Sequence, residues 1–161
     1  PIVFLIAKQD FVIAGVLLII FGLFDTLDGE LARLQKTDSP KGMLLDSVTD
    51  RMKEAMLYIG ISYAFIQMNK PYYAVWAVAA CGAALIVSYI NAWGEVVTAD
   101  LPKEKHSKNK TFRISLMTFD VRITLLIIGL LFNQLPIVVI IIAILSSFTA
   151  LERLSNISKR L

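Results

Sequence analysis

Long uncharged segments constrain the fold of this chain more than any other feature. Residues 11–24 contain no charged side chain. Apolar residues make up 57% of the 161 residues, and the mean hydropathy is +0.68, whereas an ordinary globular domain is about 45–50% apolar. Because about 20 apolar residues are enough for a helix to cross a bilayer, the sequence predicts an integral membrane protein.

Turn or loop sequences separate five apolar segments, which are residues 1–7, 11–32, 47–68, 72–98 and 119–154, the last divided near residues 133–136. The first is too short to cross a membrane, and it lacks the basic start and small-residue cleavage site of a signal peptide. We expect it to be the end of a helix that begins before Pro1, with room for a further domain upstream. Residues 1–161 are then one all-α transmembrane domain, a bundle of about six helices.

Positive charge is distributed unevenly between the two sides of such a bundle. If successive loops alternate sides, all of the 16 lysines and arginines except Lys8 and Lys70 fall on one side. Cytoplasmic loops carry an excess of this kind. We therefore expect a cell-membrane protein whose acidic segment at residues 24–50 faces the cytoplasm. The net charge of +3 then reflects topology, and no nucleic-acid partner is expected because no separate basic domain is present.

The single cysteine and the single histidine point to no reactive centre. Cys81 lies in the small-residue run at residues 79–85, and one cysteine can form neither a disulfide framework nor a thiolate metal site. His106 lies among lysines, and we expect it to be solvated. The small residues around Cys81 favour close helix packing, either within one subunit or at a dimer seam.

Four aspartates stand at the edges of the predicted helices. Asp25 and Asp28 are three residues apart, and Asp46 and Asp50 are four apart, so each pair projects from one helix face about one turn apart. Two such pairs that meet across a helical hairpin repel each other unless a cation lies between them. Hard oxygen ligands without a neighbouring histidine or thiolate favour Mg²⁺ or Mn²⁺, here as a pair of ions, over zinc.

Small side chains accompany these aspartates, at Gly29, Ala32 and Gly42. Where a helix surface is bare, a planar ring or a pyrophosphate can approach the backbone closely. Arg33 could pair with a phosphate oxygen through its forked guanidinium. By contrast, we expect three other acidic residues to be solvated, namely Glu30, Asp38 and Glu54.

The string D-x2-D-G-x2-A-R-x8-G-x3-D-x3-D resembles the signature of the CDP-alcohol phosphotransferase family of integral membrane enzymes. Its eight fixed positions are Asp25, Asp28, Gly29, Ala32, Arg33, Gly42, Asp46 and Asp50. The resemblance in helix number and placement extends over nearly the whole chain, apart from the shortened first helix.

The resemblance implies an enzyme that displaces CMP from a CDP-linked alcohol with the hydroxyl of a second alcohol and forms a phosphodiester, as in phospholipid biosynthesis. It implies that Asp25, Asp28 and Asp46 are metal ligands and that Asp50 is the general base, a ligand of the second metal, or both. It assigns the CDP pocket to Asp28, Gly29, Ala32, Arg33 and Gly42, and it implies a homodimer.

A second, partial resemblance concerns the acceptor. The stretch SYINAWGE, residues 88–95, is similar to the S-Y-x-[KR]-A-R-A-E stretch of family members that use a phosphorylated acceptor, such as phosphatidylinositol-phosphate synthases. Asn91 and Trp93 stand where basic residues are expected, so other cations would have to compensate. An arginine within an apolar run is costly unless it is paired or bound to a ligand. The candidate acceptor-binding residues are Ser88, Asn91, Arg113, Arg122 and Arg153.

The sequence does not determine which donor and which acceptor the protein uses. A lipid donor, with a diacylglycerol or archaeal ether-lipid group, and a small polar acceptor such as inositol phosphate or glycerol phosphate are favoured over a soluble donor such as CDP-inositol. The alternative of another class is a divalent-cation transporter. A transporter would place its acids near the bilayer midplane on broken helices, whereas these acids cluster at the helix ends.

Overall fold

The computed structural model of the chain describes residues 1–34, 39–99 and 117–159, and within them it leaves out the side chains at positions 30, 32–34 and 40. The described residues form helices and no strand. The helices are α1 (Ile2–Ala7), α2 (Phe11–Leu34), α3 (Pro40–Gln67), α4 (Pro71–Val97), α5 (Phe119–Leu131) and α6 (Leu135–Ser158). The prediction of an all-α bundle of about six helices is confirmed.

Within the described ranges, three helical segments are long and apolar enough to cross a membrane, namely Phe11–Gly29, Pro71–Val97 and Leu135–Ser158. Many large apolar side chains on the outside of the bundle are exposed, among them Val75, Val78, Ile144 and Phe148. Exposed apolar side chains in such number suit contact with lipid. The protein is therefore integral to a membrane.

The helices that share the most extensive contacts follow one another in a ring, in the order α1, α3, α4, α6, α5, α2 and back to α1. Apolar side chains fill the inside of the ring, and several are fully buried, including Ile61, Ala77, Leu126 and Ile142. On α4 this contact uses small residues, because Ala77, Ala80 and Ala84 are buried while Gly82 stays exposed. The small-residue run around Cys81 thus packs partly within one subunit.

Tight turns close one end of the ring. Gln9, Asn69 and Asn133 have φ values of 67°, 56° and 55°, in the left-handed region that asparagine enters more readily than most residues. Proline occupies the first turn of α4 and of α6, where its missing N–H has no helical partner to lose. Asparagine and proline in these links correctly indicated helix-to-helix turns.

The start of α3 differs from the prediction, which placed the apolar segment at residues 47–68. The helix begins seven residues earlier, at Pro40, because Ser39 caps it: the Ser39 Oγ accepts a hydrogen bond from the Gly42 N–H at 3.1 Å. Serine at the N-cap followed by proline is a strong helix start. The extension places Gly42, Asp46 and Asp50 on one continuous helix.

Candidate active site

A first cavity of about 850 Å³ opens between α2, α3 and α5 at the end of the bundle away from the tight turns. Its polar lining contains Asp25, Asp28, Gly29, Gly42, Asp46 and Asp50. Its apolar lining contains Leu18, Ile19, Leu23, Ile123 and Ile127. The cavity thus joins an acidic mouth to an apolar wall that continues along the spanning part of α2.

Three of the four predicted metal ligands meet at the mouth of this cavity. Carboxylate oxygens of Asp25, Asp46 and Asp50 all lie within 4.8 Å of one another. Asp28 lines the same cavity, one turn further along α2, outside that group. Three converging carboxylates from two helices fit a hard divalent cation by ligand chemistry and by spacing.

Lys53 balances part of this negative charge. Its Nζ lies 3.0 Å from Asp25 Oδ1 and 3.4 Å from Asp50 Oδ1, so a positive charge already stands between carboxylates of α2 and α3. The sequence reasoning missed Lys53, although a position three residues after Asp50 lies on the same helix face. The positions of these carboxylates therefore favour a positive charge between α2 and α3.

Bare backbone lines the cavity next to the aspartates. A Cβ added at Gly29, or at Gly22, would have nothing within 4 Å, so the absence of a side chain leaves room for a flat group against α2. Gly42 lines the opposite wall from α3. The predictions for Ala32 and Arg33 concern side chains outside the described part of the structure.

A second cavity, of about 420 Å³, adjoins the first and lies between α3, α4, α5 and α6. Four of the five predicted acceptor-binding residues line it, namely Ser88, Asn91, Arg122 and Arg153. The fifth, Arg113, lies outside the described residues. Phe119 and Asp120 at the start of α5 line both cavities, so the two spaces share a wall one or two side chains thick.

Two arginines bring unsatisfied donors to the second cavity. The Nη1 of Arg51 and the Nε of Arg153 are buried, and neither has a hydrogen-bond partner among the described residues. The Arg51 guanidinium lies over the Phe119 ring, with 5.0 Å from Cζ to the ring centroid. A buried cationic donor without a partner is costly, and both arginines line the cavity, so an anion bound there would lie beside two guanidinium groups. Sequence reasoning missed Arg51, which directly follows Asp50.

Arg122 is held by the protein instead. Its Nε and Nη2 donate to the two carboxylate oxygens of Glu54 at 2.6 and 2.9 Å, and its Nη1 donates to the Met117 carbonyl at 2.8 Å. Both side chains are 1% exposed. The expectation that Glu54 is solvated is wrong, because the α3 face that carries Asp46 and Asp50 turns into the bundle at Glu54.

The departure from the second motif has a limited effect on this cavity. Trp93 stacks on Tyr89, with ring planes 2° apart and centroids 6.5 Å apart, and both rings are exposed on α4. Neither is among the described residues that line the cavity. Asn91 does line it, so one position of the motif supplies a neutral amide where a cation was expected.

Similarity to known proteins extends over almost the whole chain. The family model described as CDP-alcohol phosphatidyltransferase matches residues 1–151. The archaetidylinositol phosphate synthase of Pyrococcus horikoshii is 30% identical over 153 residues, which cover 95% of this chain and 73% of that protein. The bifunctional IPC transferase and DIPP synthase of Rubrobacter xylanophilus is 28% identical over 150 residues, 93% of this chain and 32% of that protein.

A solved structure shares the fold. The crystal structure of Mycobacterium tuberculosis phosphatidylinositol phosphate synthase, PgsA1, with CDP-DAG bound superposes with a TM-score of 0.82 at 19% identity. The match covers 97% of this chain and 78% of that one. The expectation of an enzyme, as opposed to a cation transporter, is confirmed by the family match. The chain belongs to the CDP-alcohol phosphatidyltransferase family, and is a membrane transferase of phospholipid biosynthesis that moves a phospho-alcohol group from a CDP-alcohol to a hydroxyl acceptor.

Proposed function

We propose that the protein transfers the phospholipid part of a CDP-linked lipid to the hydroxyl of inositol phosphate and releases CMP. The observation that carries this proposal is the pair of buried, unsatisfied donors of Arg51 and Arg153, in a cavity that shares a wall with the acidic cluster. An alcohol that already carries a phosphate group would bring the anion that these donors lack.

The first cavity favours a lipid donor. Its apolar wall includes Leu18 and Ile19, which precede Asp25 by six or seven residues on a spanning helix, about 10 Å deeper at 1.5 Å rise per residue. A hydrocarbon chain can lie against this wall while its diphosphate reaches the carboxylates. CDP-DAG is bound in the PgsA1 structure that shares the fold, which supports a donor of the same kind.

The second cavity favours a phosphorylated acceptor. Guanidinium groups bind phosphate oxygens with charge-assisted hydrogen bonds, and Ser88 and Asn91 on α4 add polar groups to the lining. The name of the Pyrococcus relative, archaetidylinositol phosphate synthase, identifies inositol phosphate as the acceptor to test first. We assign acceptor binding to Ser88, Asn91, Arg51 and Arg153, with Arg113 as a further candidate.

The four aspartates are assigned two roles, metal binding and proton abstraction. We assign Asp25, Asp28, Asp46 and Asp50 to a pair of Mg²⁺ or Mn²⁺ ions. When bound, such ions neutralise charge on the phosphates and on the departing oxygen. Asp50 takes the proton of the acceptor hydroxyl, because it lies where α3 passes from the first cavity to the second. In-line attack on phosphorus requires the hydroxyl on the side opposite CMP.

Donor recognition falls to the bare surface of α2 and its surroundings. Gly29 leaves the space into which the CDP group fits, and we assign Ala32, Arg33 and Gly42 to the same pocket. We further propose that the site faces the cytoplasm, because all but two of the lysines and arginines fall on that side if successive loops alternate sides, and that the protein works as a homodimer. Crosslinking in membranes that yields only monomer would count against the dimer.

The test is CMP release by the purified protein in detergent with Mg²⁺ or Mn²⁺. Donors are CDP-diacylglycerol, an ether-lipid analogue and CDP-inositol, and acceptors are inositol phosphate, glycerol phosphate and free inositol. The proposal predicts CMP release with inositol phosphate. It also predicts a lipid product that carries one phosphate from the donor, as a phosphodiester, and the phosphate group of the acceptor. Asp10→Asn, on a carboxylate far from the site, is the matched control for Asp50→Asn. A water-soluble product formed only from CDP-inositol would replace the lipid donor by a soluble one.

A further inference from the structure

The acidic face of α3 extends beyond the proposed metal ligands. Asp46, Asp50 and Glu54 follow one another at intervals of four residues, so all three lie on one helix face. Asp46 is exposed, Asp50 is partly buried and Glu54 is 1% exposed. The face therefore runs from the mouth of the first cavity into the interior, where Glu54 meets Arg122 of α5.

Three guanidinium groups reach the second cavity from the described residues, and they differ in what holds them. Arg51 and Arg153 each keep a buried donor without a partner among those residues. Arg122, in contrast, directs donors to both carboxylate oxygens of Glu54 and to the Met117 carbonyl. A two-pronged pair of this kind is the strongest and most directional contact that an arginine makes with a carboxylate.

We propose that Glu54 is a positioning residue that withdraws Arg122 from the substrate and thereby matches the charge of the acceptor cavity to a single phosphate group. This inference rests on the proposed function, because it concerns how the same cavity selects its acceptor. A phosphate monoester carries about 1.5 to 2 negative charges at neutral pH. Arg51 and Arg153 bring two positive charges to the cavity, and the carboxylate of Asp120, which also lines it, offsets part of them. A third free cation would favour acceptors that carry more than one phosphate group.

The location of the pair supports a role beyond stability. Glu54 follows the proposed base, Asp50, by one helical turn, and Arg122 follows Phe119 and Asp120, which form the wall between the cavities. Since α3 and α5 are not neighbours in the ring of extensive helix contacts, the pair spans the interior between them. A change in Glu54 therefore acts on the acceptor cavity through Arg122.

The experiment compares the acceptor preference of Glu54→Gln, Arg122→Gln and the double variant with the wild-type protein. The measured quantity is kcat/KM for inositol monophosphate and for an inositol bisphosphate, with the KM for CDP-diacylglycerol as the internal control. In Glu54→Gln the freed guanidinium should raise the ratio of bisphosphate to monophosphate kcat/KM by about tenfold or more, as a charged hydrogen bond to a second phosphate provides.

The double variant keeps the proposal testable even if Glu54→Gln fails to fold, because it replaces a buried ion pair by a neutral amide pair. We expect its KM for inositol monophosphate and its acceptor ratio to stay within about threefold of wild type, since Arg51 and Arg153 keep the charged hydrogen bonds to the phosphate. A KM increase of more than about tenfold in this variant would mean that Arg122 itself binds the phosphate, which overturns the proposal.

Equal losses for both acceptors and for the donor in Glu54→Gln would also overturn it, because they would reduce Glu54 to a structural role. Failure of the proposed function looks different: the wild-type protein would then show no turnover with inositol monophosphate at all.

Discussion

Lys53 on α3 donates a hydrogen bond to Asp25 on α2, with 3.0 Å between Nζ and Oδ1. The same ammonium lies 3.4 Å from Asp50 Oδ1. Since α2 and α3 are not neighbours in the helix ring, this contact draws together two helices at the mouth of the first cavity. It also places a side-chain cation where a metal ion and the donor diphosphate are proposed to bind.

Replacing Lys53 by methionine should therefore strengthen divalent-cation binding. Removal of the ammonium leaves the carboxylates of Asp25 and Asp50 less neutralised, and the pair is partly exposed, so the gain is limited to about fivefold, the factor for about 1 kcal/mol. Titration of the detergent-solubilised protein with Mn²⁺ measures it directly. Lys53→Arg keeps the charge and serves as the control. Weaker binding in Lys53→Met would show that the lysine supports the ion instead of competing with it.

Asp50→Asn should abolish most turnover while leaving the fold intact. Loss of a positioned general base lowers rates by about a hundredfold to ten-thousandfold, and asparagine keeps the shape of the side chain. We expect kcat for CMP release to fall by that factor at saturating Mn²⁺, a concentration that offsets weaker ion binding from the loss of one proposed ligand. Asp10→Asn should match wild type. A variant that keeps more than about a tenth of wild-type kcat would transfer the role of base to another group.

Arg153→Gln should weaken acceptor binding and leave donor binding unchanged. A hydrogen bond to a charged group contributes roughly 1.5 to 3 kcal/mol, so the KM for inositol phosphate should rise about tenfold to a hundredfold. The KM for CDP-diacylglycerol should not follow, because Arg153 lines the second cavity and not the first. Lys159→Gln, an exposed cation on the same end of α6, is the control. Parallel changes in both KM values would contradict separate cavities.

Gly29→Val should impair binding of the lipid donor and should not lower the stability of the protein by more than a glycine-to-valine change at another open helix position does. A Cβ at Gly29 has nothing within 4 Å among the described residues, so the branched side chain extends into the proposed CDP space. The KM for the lipid donor should rise at least about tenfold, while Tm should match that of Gly82→Val, a change at an equally open helix position with the same loss of backbone freedom. Unaltered donor kinetics would remove Gly29 from the CDP pocket.

Most of the fold could be predicted from hydrophobic segments and turn residues, because a lipid environment permits few backbone structures. A spanning segment must be helical so that its own backbone satisfies its hydrogen bonds, and asparagine at 69 and 133 with proline soon after marks where one helix ends. The start of α3 was harder to place. The charged residues from Lys41 to Lys53 interrupt the apolar pattern, and only the Ser39 cap and Pro40 indicate that the helix begins before them.

Part of the site could also be predicted from the sequence, since aspartates at helical spacing must share a helix face. Arg51, Lys53 and Glu54 lie within four residues of Asp50, yet their partners belong to α2 and α5. The pairing of Glu54 with Arg122 joins positions 68 residues apart. Helical periodicity gives the direction in which a side chain points relative to its own helix, and it carries no information about which helix lies opposite.

The apolar wall of the first cavity has a kinetic consequence. A substrate whose chains lie against Leu18 and Ile19 arrives by diffusion in a plane, so its effective concentration is a mole fraction of the surrounding lipid or detergent. Its reaction partner, which enters the second cavity from water, follows bulk molarity. Adding inert detergent at fixed total amounts of both substrates should therefore slow turnover, while adding the same volume of buffer dilutes only the water-soluble substrate. The rate is then set by the composition of the bilayer as much as by the solution beside it.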